Sequence, residues 1–140
     1  MSRFGFFPDE GEGGSVSVPQ GYASATVHLG DTTETVFFSL AVWNTGDYVD
    51  HWRHGAAKCL REGEAFLFCT DLTKQNASVF AAFPEGEGYT LEEWLIPRRT
   101  FTVSGREIVL LSQRDMVRAG GDTSFWRVTE AAIADFAKAI

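Results

Sequence analysis

The segment from Phe37 to Leu72, FFSLAVWNTGDYVDHWRHGAAKCLREGEAFLFCTDL, constrains the fold of this chain more than any other. An apolar run enters and ends at Trp43, and Asn44-Thr45-Gly46 turns the chain. Val49, Trp52, Ala56, Cys59 and Leu60 then recur at i, i+3, i+7, i+10 and i+11, which is one face of an α-helix. Arg53, Lys58, Arg61 and Glu62 fall on the other faces. Thr45 or Asp47 is placed to cap the N-terminus, and Asp47 and Asp50 suit the positive end of the helix dipole. Gly63 tolerates the left-handed conformation that ends helices, and Ala65 to Thr70 reads as a buried strand. A helix with one apolar stripe between two apolar strands must bury that stripe against a sheet.

The rest of the chain supplies strands for that sheet. Arg3 to Phe7, Tyr22 to Leu29 and Thr35 to Val42 read as strands, the last two joined by the Gly30-Asp31-Thr32-Thr33 turn. Ser78 to Phe83 and Tyr89 to Ile96 flank a turn-rich Pro84 to Gly88 loop, and Pro97 separates the latter from Arg99 to Val103. Ser104-Gly105 is a tight turn into a strand from Glu107 to Gln113. Arg114 to Ser124 is polar and Gly-rich and reads as loop. Thr129 caps a closing helix whose Ile133, Phe136, Ala137 and Ile140 share a face. Six to eight hairpin-connected strands, a central amphipathic helix and a short C-terminal helix predict a mostly antiparallel α+β fold. The 140 residues predict a single domain spanning 1–140, and the missing βαβ alternation excludes a doubly wound sheet.

Charge narrows the function. The net charge is -7, and residues 1–50 hold seven acids against one base, Arg3. Residues 98–140 hold five acids and seven bases. An acidic chain without a basic stripe argues against nucleic-acid binding, while an acidic face steers a basic partner protein. No run approaches the ~18 apolar residues of a membrane span, and the N-terminus, MSRFGFFPDEGEGG, lacks the long apolar core of a secretory signal. The expected location is the cytoplasm, with Cys59 and Cys69 as two buried free thiols.

No set of residues announces catalysis. His51 and His54 stand at i, i+3 with Trp52 and Arg53 between them, unlike the i, i+4 pair with an intervening Glu that binds zinc, so they read as a solvated helix face. The GEGG and PEGEG loops carry acids where a phosphate cradle needs bare N–H groups. Glu92 and Glu93 on a strand point to opposite faces. No enzyme, metal site or cofactor is expected. Trp43, Trp52, Trp94 and Trp126 read as core, and Tyr48 at the helix start reads as a binding-surface candidate.

At Trp43, Asp47, Tyr48 and Trp52 the sequence resembles immunity proteins of bacterial contact-dependent growth inhibition (CDI) systems. The family pattern is matched by SLAVW, NTG, DY, HW, KCLREG and AFLFCT in order, and more loosely by GDTTE at 30–34 and SQRD at 112–115. The acidic, Gly-rich residues 8–14 depart from it. The resemblance implies a partner, the cognate toxin domain at the C-terminus of a large secreted protein, often a nuclease. A nuclease site is basic because it binds phosphate, so an acidic inhibitor can cover it without chemistry of its own. The candidate contact residues are Asp9, Glu10, Glu12, Asp31, Glu34, Asp47, Tyr48, Asp50, Glu85 and Glu87. Trp43 and Trp52 read as scaffold. The competing expectation is a small-ligand or sensor domain with an aromatic-lined pocket.

Overall fold

A computed structural model describes residues 3–9, 18–111, 117–118 and 125–138. The order is β1 (Arg3–Pro8), β2 (Tyr22–Gly30), β3 (Thr32–Ser39), α1 (Thr45–Glu62), β4 (Phe66–Leu72), β5 (Asn76–Glu85), β6 (Gly88–Pro97), β7 (Phe101–Ser104), β8 (Glu107–Leu110), β9 (Val117–Arg118), β10 (Phe125–Thr129) and α2 (Glu130–Lys138), with a 3₁₀ turn at Arg98–Thr100. The fold is α+β, and every strand pairing among the described residues is antiparallel. One sheet has the order β1-β2-β3, the second β10-β6-β5-β4 with β9 added to β6, and β7 and β8 form a separate hairpin.

Helix α1 lies against β4, β1 and α2, while β3 runs beside β4 and β10 beside β2. The core forms where these pieces meet. The Phe6 ring stacks on Trp52 and on Phe68, each at 5.3 Å between centroids, and Phe4 meets Phe68 and Phe136 edge-on. Trp43 and Trp52 are buried, as expected of a scaffold. Burying such rings supplies ~1.5–3 kcal/mol per side chain, so this cluster dominates the stability of the fold.

Several local expectations shift. The α1 cap is Asn44, which accepts from the Asp47 N–H while the Asp47 carboxylate accepts from the Asn44 N–H. Asn44 competes well for this position because its short amide reaches the third helical N–H. Gly63 ends α1 in the left-handed conformation, at φ 63°, as expected. Strand β3 begins at Thr32 and stops at Ser39, because the chain turns at Leu40 to enter α1. The region from Arg114 to Ser124, read as loop, lies mostly outside the described residues, but Val117–Arg118 pairs with β6. Phe125–Thr129 is a strand that the periodicity did not reveal. Thr129 caps α2, accepting from the Ala132 N–H.

Candidate functional site

Helix α1 presents more than an apolar stripe. Its buried residues are Tyr48, His51, Trp52, Gly55, Ala56 and Cys59. Among the described residues β4 ends its sheet, and one edge of its backbone has no strand beside it in the ladder. Buried N–H and C=O groups without partners are costly, and α1 supplies the partners. His51 Nε2 accepts from the Cys69 N–H at 2.8 Å, and Trp52 Nε1–H donates to the Cys69 carbonyl at 2.7 Å. The Tyr48 hydroxyl accepts from the Leu72 N–H at 2.9 Å and donates to the Ser39 carbonyl at 2.8 Å. A shift of register between Cys69 and Asp71 turns Leu72 toward the same side.

Two expectations are corrected here. Tyr48 is not on a surface, since it is fully buried and its hydroxyl closes the edge of β4. His51 does not belong to a solvated helix face, since it too is fully buried. The Cys69 N–H can only donate and the Arg106 carbonyl can only accept. The His51 ring is therefore neutral with its proton on Nδ1, pointing at Arg106. Burial pushes its pKa down to about 4, against the bond to Arg106, which favours the charged ring.

A second stripe of α1 fastens the β7–β8 hairpin. Asp47 is 2.8 Å from Arg106, His51 binds the Arg106 carbonyl, and His54 and Lys58 bind Glu107 at 2.9 and 2.7 Å. These four helix positions stand at i, i+4, i+7 and i+11, one line along the cylinder. The Lys58 bond, and secondarily that of His54, holds the Glu107 carboxyl below its ordinary pKa, and Glu107 raises that of Lys58. Beside this clamp is a groove of about 490 Å³ lined by Phe66, Leu67, Phe83, Trp94, Ile108 and Leu110.

The remaining acidic candidates are dispersed. Asp9 is exposed and accepts from the Ser24 and Thr26 hydroxyls at 2.9 and 2.7 Å. Glu10 and Glu12 lie outside the described residues. Asp31 is exposed in the β2–β3 turn, and Glu34 is half-buried on β3. Burial, and then the charge of Glu34, raises the pKa of Glu93 on β6. Glu85 and Glu87 are exposed on the β5–β6 turn, and Arg127 bonds the Glu85 carbonyl and lies 3.7 Å from its carboxylate. Gly30, next to Asp31, backs onto the Arg127 carbonyl so closely that a Cβ there would meet it at 3.0 Å. The structure thus brings Asp31 and Glu85 into one neighbourhood around Arg127. Asp9 stands at the other end of β1, whose Arg3 pairs with Gly30 and whose Pro8 pairs with Ala25, roughly 20 Å away at strand spacing. Asp50 is exposed on α1, whereas Asp47 is committed to the cap and to Arg106.

Both cysteines are free and buried, as expected, and burial pushes the Cys59 thiol up to about 12 and raises that of Cys69. Among the described residues no group of three or more His, Cys, Asp or Glu side chains is arranged to hold a metal ion, and no helix is long and apolar enough to cross a membrane.

No protein-family model matches the sequence, and no curated protein matches it. The fold is similar to a chain of the CdiA-CT/CdiI toxin and immunity complex from Enterobacter cloacae, with a TM-score of 0.71, 16% identity and 97% of each chain covered. The resemblance carried by Trp43, Asp47, Tyr48 and Trp52 thus extends to the fold over almost the whole chain.

Proposed function

We propose that this chain is an immunity protein of a CDI system, which binds the toxin domain of its cognate partner and covers its active or substrate-binding surface. The observation that carries this reading is the fold likeness to a chain of a toxin and immunity complex over 97% of both chains. The charge supports it, since a -7 inhibitor is drawn to a basic, phosphate-binding enzyme such as a nuclease. Inhibition by coverage asks nothing catalytic of the inhibitor, so the reading assigns this chain no enzymatic activity. It also places the chain in the cytoplasm, where a delivered nuclease acts.

The test is co-expression with the C-terminal toxin domain encoded by the neighbouring reading frame. The expected result is a co-purifying complex and rescued growth; full toxicity and no complex would refute the reading for that partner. Two sets of acids can be reversed separately: Asp9, Glu10 and Glu12, which are close in sequence, and Asp31 with Glu85 and Glu87, whose turns lie on either side of Arg127. Charge reversal of the contacting group should slow association several-fold and flatten its salt dependence. Unchanged kinetics for both reversals would place the contacts elsewhere.

The groove beside β8 favours a second reading, in which an apolar small molecule sits between Phe66, Trp94 and Leu110. Saturable quenching of tryptophan fluorescence by an apolar dye, abolished by Leu110→Arg, would support it.

A further inference from the structure

Among the described residues eight large apolar side chains are exposed, and five of them fall in two short segments, 18–22 and 37–42, while Val109 and Leu111 lie on and just after β8. Val18, Tyr22, Phe37, Leu40 and Val42 are each 37–44% exposed, and their two segments flank the end of the β2–β3 pairing at which Tyr22 faces Ser39. Tyr22 pairs with Ser39, and Phe37 pairs with Ser24, two residues beyond Tyr22 on the same face. The Leu40 N–H donates to the Gly21 carbonyl and the Tyr22 N–H to the Pro19 carbonyl, which fold both flanking segments onto that end. Single exposed apolar residues are ordinary, but a contiguous group on a rigid sheet end marks an interaction surface. Phe7, also exposed, is different, because its ring packs on Phe136 and His28.

The surroundings say what fits there. No Lys or Arg occurs between Phe4 and Trp52, the stretch that supplies β2, β3 and the connection to α1, whereas seven acids do. Asp9 is exposed and anchored on Ser24, the register partner of Phe37, and on Thr26. Apolar side chains beside an exposed carboxylate, in a segment that itself carries no base, complement a protein surface that is apolar and basic. The Asp31–Glu85 group lacks both properties, since Arg127 stands between its turns.

We propose that Tyr22, Phe37, Leu40 and Val42, rimmed by Asp9, form the docking surface of this protein for a basic protein domain. The inference rests on the immunity reading for the identity of that domain, the cognate toxin. The aromatic and aliphatic side chains provide the buried contact area, and the acids steer approach and orientation. Leu40 and Val42 precede α1 and lie in no strand, so substitution there leaves every sheet pairing intact.

The test uses the full-length protein and an inactivated form of the toxin domain encoded beside it. Leu40→Arg with Val42→Arg places two positive charges against a basic partner and should weaken binding by on the order of 100-fold, with an unchanged circular dichroism spectrum. Glu85→Lys with Glu87→Lys should leave affinity within about threefold. Hydrogen exchange of the wild-type pair gives a reading independent of any variant's folding, with protection on binding expected across 18–24 and 37–42. Wild-type affinity in the Leu40/Val42 variant, or protection confined to 85–88, would overturn the surface while the immunity reading stands. Absence of any wild-type complex would overturn both.

Discussion

Gly55 shows how tightly one position can be specified. A Cβ built there would sit 2.3 Å from the Phe66 ring and 2.7 Å from that of Phe68. Helix propensity alone favours Ala over Gly by ~1 kcal/mol. Overpacking a rigid aromatic cluster costs ~1–3 kcal/mol, and here it wins because both rings are held by other rings. Gly55→Ala is therefore expected to lower the urea midpoint despite the better helix former; a raised midpoint would show that the rings give way. Tyr48 and His51 make a related point. Their helical spacing with Trp52, Gly55, Ala56 and Cys59 was visible, but polar atoms kept them out of the apolar stripe. What buries them is the unpaired backbone of a strand some 20 residues further on, of which a local pattern carries no trace.

At the scale of elements, the β7–β8 hairpin is bound to α1 mainly through polar groups. Its turn was legible in Ser104-Gly105, and its register follows, with Phe101 opposite Leu110 and Ser104 opposite Glu107. Its docking was not legible, because Asp47, His51, His54 and Lys58 read as ordinary helix charges until Arg106 and Glu107 arrive beside them. Partly exposed ion pairs contribute at most ~1 kcal/mol each. Glu107→Gln should accordingly speed amide exchange in 101–110 while lowering global stability by about 1 kcal/mol or less. Unaltered exchange there would mean that burial of Phe101 and Ile108 holds the hairpin without the clamp. Strand β10 escaped detection for a comparable reason. Its Phe125–Thr129 segment is short and lacks alternation, and it is a strand because β6 offers it an edge from Gly88 to Glu92.

For the whole molecule, His51 ties stability to pH, since its ring joins α1, β4 and the β7–β8 hairpin. Its ordinary pKa is 6.5 and burial holds it at about 4 in the fold. Between those values the unfolded chain binds a proton that the folded chain does not, so stability falls as pH drops from 6.5 toward 4. The loss from this group approaches ~3 kcal/mol at the lower end. His51→Gln keeps one donor and one acceptor without titrating, so urea unfolding from pH 4.5 to 7.5 should show a flatter slope for the variant. Equal slopes would assign the dependence to other groups. The α+β class, the central helix with its Gly63 stop, the Thr129 cap and the hairpin turns were all readable from the chain, because each follows from periodicity or turn chemistry within a few residues. The closing of the β4 edge by α1, the clamp on the hairpin, the distance between Asp9 and Asp31 and the exposure of Tyr22 and Phe37 on one sheet face were not. Those depend on which strands become neighbours and which edge is left open, and that choice is made by the packing of the aromatic core, between residues far apart in sequence.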